Sequence, residues 1–167
     1  LNALAATAVG KLLGLTADQI AAGIRSVQAV SGRSRVVSAG GKVLIDDCYN
    51  ANPVSAKAAI DLLGLADGRE VAVLGDMFEL GEKEKELHAQ VGAYAAEHGV
   101  DCLYCAGALS EEMYRAAKEA GIAEAAHFAD TDALLQALPG LLRAGDSVLI
   151  KASHGMGYHR IVEALER

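Results

Sequence analysis

SRVVSAGGKVLIDDCYNANPVSAKAAI, residues 34–60, holds two apolar runs joined by Ala39-Gly40-Gly41, the signal of a β-hairpin. Asn52-Pro53 follows, with Asn as a helix N-cap and Pro at the first helical position, where its missing N–H costs nothing. A strand feeding directly into a proline-started helix is the first half of a βαβ unit. The cap does not account for Asp46, Asp47, Tyr49 and Asn50, which crowd the strand end. Neighbouring strand residues point to opposite faces, so the two aspartates are not a joint carboxylate pair. One is expected to reach a crevice while the other ties down the hairpin.

Outward from this stretch, strands and helices alternate. Strands are predicted over 43–46, 70–74, 102–106, 125–128 and 147–150. Helices are predicted over 53–65, 82–98, 110–120, 131–138 with Asp130 as cap, and 158–165. Short apolar strands separated by helices of about ten residues give an α/β fold, a Rossmann-like, mostly parallel sheet with helices on both faces. Ligands in such a sheet lie beyond the carboxyl ends of the strands. Ahead of the hairpin, residues 1 to about 30 read as two short amphipathic helices, the second capped by Thr16. The opening LNALAATAVGKLLGL has no cap before it, so the chain reads as part of something longer.

The 167 residues fit one main domain, and 18 glycines against two prolines suit a globular α/β protein. A net charge of -7 argues against nucleic acid or an anionic membrane, both of which need clustered Lys and Arg. No apolar run approaches the roughly 18 residues of a membrane span. Three cysteines cannot form a complete disulfide framework, which favours a reduced cytosolic setting.

Two further strand ends carry chemistry. In VAVLGDMFELGEKE (residues 71–84) a buried strand runs into Gly75-Asp76; an ordinary capped turn and a ligand contact explain it equally well. In VLIKASHGMGYHR (residues 148–160) Lys151, Ser153 and His154 precede Gly155 and Gly157 at a helix start, which favours an anion. Other features fail on geometry. Cys102 and Cys105 have zinc-knuckle spacing, but i and i+3 on a strand face opposite sides, so they read as one core and one surface thiol. Gly10-Lys11 lacks the first glycine and the Ser or Thr of a phosphate loop, and no strand is followed by G-x-G-x-x-G. His154 and His159, five apart, share no helical face. His88 reads as packed or solvated, and His98 and His127 as surface residues. No metal site is predicted.

NALAA (2–6), SGR (31–33), IDDCYNANPVSAKAAI (45–60), VLGDMFELGE (73–82) and VLIKASHGMG (148–157), in this order and spacing, resemble the bacterial Mur ligases over essentially the whole chain. That resemblance implies a division into residues 1–32, the tail of a central ATP-binding domain, and 33–167, a carboxyl-terminal Rossmann-like domain. It implies an ATP-dependent peptide ligase of peptidoglycan synthesis, acting as a monomer in the bacterial cytoplasm. Such an enzyme joins D-alanyl-D-alanine to UDP-N-acetylmuramoyl-tripeptide through an acyl phosphate, and its phosphate loop and Mg2+ ligands lie in upstream domains. By the same resemblance Asn2 matches an adenine contact, Arg33 a contact to the ATP phosphates and Asp47 the ribose ligand. Asn50 and Asn52 line the interdomain crevice, and Asp76, Lys151 and Ser153 lie near the incoming dipeptide. No catalytic residue is assigned, and the fragment alone is expected to be inactive. Relatives commonly carry Lys-Gly-Ser-Arg where this chain has Lys151-Ala152-Ser153-His154. A phosphoacceptor receiver domain, with Asp76 as acceptor, and a non-catalytic small-molecule-binding α/β domain are the competing readings.

Overall fold

The computed structural model describes residues 2–27 and 31–167. Residues 1 and 28–30, at the ends of the expected two-helix segment, lie outside them. Within that segment α1 (Asn2–Leu12) and α2 (Ala17–Arg25) form. Thr16 caps α2 in a full capping box with Gln19, so two N-terminal donors are satisfied reciprocally. Gly10 lets the pair approach, since a Cβ there would stand 2.8 Å from Ile20. Leu4, Val9, Leu12 and Leu13 remain exposed.

The hairpin pairs β1 (Arg35–Ala39) with β2 (Lys42–Asp46), closing at Ala39 opposite Lys42. Gly40 and Gly41 both take positive φ, 55° and 73°, the backbone that a two-residue turn matching strand twist requires. After β2 come α3 (Pro53–Leu63), β3 (Arg69–Gly75), α4 (Glu84–Glu97), β4 (Cys102–Ala106) and α5 (Ser110–Glu119). The chain finishes with β5 (Glu124–Phe128), α6 (Thr131–Leu141), β6 (Asp146–Lys151) and α7 (His159–Leu165). Strand order is β1-β2-β6-β3-β4-β5, and every pairing except β1 with β2 is parallel.

Alternation along the strands divides the core. Ala72, Leu74, Leu103 and Cys105 pack with Ile60, Leu63, Val91 and Met113 of α3, α4 and α5. Val71, Val73, Cys102 and Tyr104 pack on the other face with Leu134, Leu138, Ile161 and Val162 of α6 and α7. Both faces are therefore covered, as a parallel sheet requires. Cys102 and Cys105 do face opposite ways, but both are buried; the expected surface thiol is a core one because β4 is an interior strand.

Element boundaries shift by a few residues. A 3-10 turn, Gly81–Lys83, precedes α4, and α6 runs on through Pro139 to Leu141. Proline is tolerated there because it removes one donor in the last turn only, and Leu142 N–H still reaches the Leu138 carbonyl at 3.0 Å. At the amino-terminal edge of the sheet, Arg69 forks onto Asp146 with two 2.9 Å bonds. It also donates to the Leu141 carbonyl at 2.8 Å.

Candidate functional site

Because β6 lies between β2 and β3, three loops distant in sequence share one end of the sheet: 47–52 after β2, 76–80 after β3 and 152–157 after β6. Helix α4, after β3, covers one face, and α7, after β6, covers the other. This is a topological switch point, where an open α/β sheet leaves a crevice.

Asp46 and Asp47 divide as adjacent strand residues should. Asp46 is fully buried and accepts from Gly32 N–H at 2.8 Å, Ser31 Oγ at 3.1 Å and Arg35 Nε at 3.3 Å. Burial alone would raise its pKa. The bonds from Cys48, Gly32, Ser31 and Arg35 outweigh it, so the carboxyl sits below the ordinary aspartate value. The same contacts act in reverse on Cys48: burial and its bond to Asp46 push that thiol up to about 12, leaving it a poor nucleophile.

Asp47 faces a cavity of about 370 Å3, walled by Arg33, Ser34, Tyr49, Asn50, Asn52, Lys151 and the apolar Ala58 and Leu62 of α3. Its Oδ1 accepts from Ser34 N–H at 2.9 Å and Ser34 Oγ at 3.1 Å. Its Oδ2 accepts from Lys151 Nζ. That ammonium, 3% exposed, also donates to the Asn50 carbonyl at 2.8 Å and the Asp47 carbonyl at 3.4 Å. Lys151 thus fastens the end of β6 to the loop after β2, and its amine is directed at Asp47.

A second cavity, about 520 Å3, opens between the loops after β2, β3 and β6 and is lined by Asn50, Asn52, Phe78, Glu79, Ser153 and His154 among others. Ser153 ties two of these loops together, donating its N–H to the Asp76 carbonyl at 3.0 Å and accepting from Phe78 N–H at 2.8 Å. Glu79 takes φ 63°, a costly conformation for a non-glycine residue, held by its surroundings at the cavity edge. Asn52 caps α3 through Ser55 N–H at 2.9 Å, and Asn50 Oδ1 accepts from Ala51 N–H at 2.9 Å.

Asp76 lines neither cavity. Its Oδ1 caps α5, accepting from Leu109 N–H at 3.1 Å and Ser110 N–H at 2.7 Å. Gly107, at φ 118°, leaves the room that a Cβ would take from this carboxylate. Asn2 is exposed at the start of α1, and the lining of the two cavities comes from residues 32–155. Of the residues singled out in sequence, Arg33, Asp47, Tyr49, Asn50, Asn52 and Lys151 meet at the first cavity, and Tyr49, Asn50, Asn52, Ser153 and His154 at the second.

Ser34 and His88 belong to the site's construction but are not assigned to it by sequence, and Tyr49 stands out there only as one of the strand-end residues the cap leaves unexplained. Ser34, at φ 50°, lies next to Arg33 and carried no motif. His88 is buried: Met77 N–H donates to its Nε2 at 2.9 Å, and its Nδ1 lies 2.6 Å from the Glu84 carbonyl. It thereby holds the loop after β3 to α4. Its position four residues after Glu84, within the helix that follows the loop, was the available signal. His98 is exposed, and His127 is half-buried against the Gly107 carbonyl at 2.7 Å. Among the described residues no cluster of three His, Cys, Asp or Glu could hold a metal ion, and no helix is long and apolar enough to cross a membrane.

The sequence matches the family described as Mur ligase, glutamate ligase domain, over residues 32–154. It is 38% identical over 168 residues to UDP-N-acetylmuramoyl-tripeptide--D-alanyl-D-alanine ligase of Escherichia coli (strain K12), covering 99% of this chain and 36% of that relative. Among solved structures, MurF from Acinetobacter baumannii superposes with a TM-score of 0.91 at 28% identity, covering 99% of this chain and 37% of that one. MurF ligase from Thermotoga maritima in complex with ADP gives a TM-score of 0.77 at 29% identity, over 95% and 35% of the two chains. The chain therefore spans little more than a third of the length of the relatives it matches.

Proposed function

The chain belongs to the Mur ligase family, and from that premise we propose that it is the carboxyl-terminal part of an ATP-dependent ligase joining D-alanyl-D-alanine to UDP-N-acetylmuramoyl-tripeptide. The observation that carries this reading is the first cavity. It sets a carboxylate, Asp47, an arginine, Arg33, and an apolar wall, Ala58 and Leu62, around a space of about 370 Å3. Ribose hydroxyls, phosphates and an adenine ring are a ligand that asks for those three kinds of surface. That the Thermotoga maritima relative was solved in complex with ADP supports an adenine nucleotide as a ligand of the whole enzyme.

ATP supplies the phosphoryl group that activates the tripeptide carboxylate, and the dipeptide amine then displaces phosphate. The work left to this chain is placement and charge neutralisation. Arg33 would neutralise phosphate oxygens, while Asp47, fixed by Ser34 and Lys151, would hold the ribose. The second cavity, with Asn50, Asn52 and Ser153, would receive the dipeptide. Lys151 and Asp76 would serve from beneath, Lys151 by orienting Asp47 and Asp76 by fixing the loop after β3. Among the described residues no group of three His, Cys, Asp or Glu is placed to hold a metal ion, and the Mg2+ ligands would lie in the parts of the enzyme outside this chain. We further propose that the whole enzyme works as a monomer in the cytoplasm and that the parts binding the UDP-linked substrate lie outside this chain. The receiver reading is disfavoured: Asp76 is engaged as a helix cap, and a hairpin occupies the sheet edge.

The test is phosphate release by the full-length protein containing this segment, omitting ATP, the UDP-linked tripeptide and D-alanyl-D-alanine in turn. Release is expected only when all three are present. Release that ignores the dipeptide would refute the ligase reading.

A further inference from the structure

Tyr49 lines both cavities described above and a smaller one, of about 90 Å3, that it shares with Cys48, His154 and His159. Its ring is about half exposed. The Arg33 guanidinium carbon sits 4.1 Å from the ring centroid. The His154 ring lies 5.8 Å away, tilted by 48°.

Backbone geometry brings the arginine there. Tyr49 N–H donates to the Gly32 carbonyl at 2.9 Å. Gly32 has φ 78°, and a Cβ on it would stand 3.1 Å from the Tyr49 nitrogen. Only glycine combines that conformation with so close an approach. Arg33, the next residue, is thereby laid over the ring. It takes part in none of the ion pairs formed among the described residues. An exposed arginine without a carboxylate partner samples many rotamers, and stacking on an aromatic face selects the few that keep the planar guanidinium against the ring.

We propose that Tyr49 is a positioning residue whose ring holds Arg33 at the mouth of the first cavity, ready for a phosphate-bearing ligand, and forms the wall shared with the second cavity. This rests on the nucleotide reading given above. The ring face does the holding, so the phenolic oxygen is dispensable.

The experiment is an ATP titration by calorimetry on the full-length protein and its Tyr49→Phe, Tyr49→Leu, Arg33→Ala and Arg33→Ala/Tyr49→Leu variants. KM for ATP and for D-alanyl-D-alanine is measured in parallel. Tyr49→Leu should weaken ATP binding about two- to five-fold, the range of an exposed cation–π contact. Tyr49→Phe should match the parent, and Tyr49→Leu should add no loss in the Arg33→Ala background. KM for ATP should rise more than KM for the dipeptide. An equal loss from Tyr49→Leu with and without Arg33, or a Tyr49→Phe variant as weak as Tyr49→Leu, overturns the proposal. A parent protein that binds ATP but releases phosphate without regard to the dipeptide would sink the ligase reading while the double-variant cycle still decides the role of Tyr49. A parent that binds no ATP overturns both.

Discussion

Replacing Lys151 with methionine should destabilise the 167-residue chain by about 3 kcal/mol at pH 7. Methionine keeps much of the apolar stem and deletes the ammonium. In the native structure that ammonium is 3% exposed and serves Asp47 and the Asn50 carbonyl. Breaking one side of a buried pair costs about 3–5 kcal/mol, because the other charge is left without compensation. The lower end applies, since the Asp47 side chain is 17% exposed and keeps its two bonds from Ser34. For a chain of this size about 3 kcal/mol corresponds to a fall in Tm of roughly 6–12 °C. Calorimetric melting of the parent, Lys151→Met, Asp47→Asn and the double variant measures both the cost and the coupling. The double variant should lose clearly less than the sum of the singles, because neither charge is then stranded. A Lys151→Met Tm within about 2 °C of the parent, or strictly additive losses, would show that the lysine does not hold Asp47.

Glu70 Oε2 is buried with no hydrogen-bond partner among the described residues, and burial, helped by Asp101, raises its pKa above the ordinary glutamate value. A raised carboxyl favours the folded state when protonated and opposes it when ionised, so Glu70→Gln should raise Tm at pH 7 by roughly 2–4 °C, for about 1 kcal/mol, and bring less at pH 4; no gain at pH 7 would contradict the assignment. Burial alone would raise the Asp146 carboxyl, but the Arg69 fork and the Arg143 N–H outweigh it, so its pKa is lowered. Glu124 is lowered as well, chiefly by the Tyr104 hydroxyl. Stability from such groups is complete above about pH 4, the unfolded value, and is lost as pH falls through the lower folded value. Tm measured from pH 6 down to 2 should therefore fall below about pH 4, and Asp146→Asn should flatten that fall while lowering Tm at neutral pH; an unchanged acid slope would count against it. At Gly92, α4 meets α5 so closely that a Cβ would run into the Met113 carbonyl. Gly92→Ala should thus cost about 2 kcal/mol, or roughly 4–8 °C in Tm, despite alanine's better helix propensity; a higher Tm would refute the close crossing.

The sequence alone determined what depends on near neighbours. Strand alternation, the Thr16, Asn52 and Asp130 caps and the two-glycine turn act within a few residues, and each element appeared within a few residues of its expected bounds. The opposite facing of Asp46 and Asp47 follows from the period of two, and it held. The strand order belonged to the tertiary structure. β6, about a hundred residues beyond β2, inserts between β2 and β3, and only that insertion brings Lys151 to Asp47 and Ser153 to Phe78. A polar residue at a strand end reads the same in sequence whether it faces a ligand or a neighbouring loop. Sequence leaves a capped turn and a ligand contact equally open at Asp76 and, by resemblance, puts Lys151 near the dipeptide; in the structure Lys151 ties down the loop after β2 and Asp76 caps α5. Tyr49 shows the converse. Its place between Arg33 and His154 depends on the Gly32 backbone reaching across to residue 49, a long-range approach that no local pattern encodes.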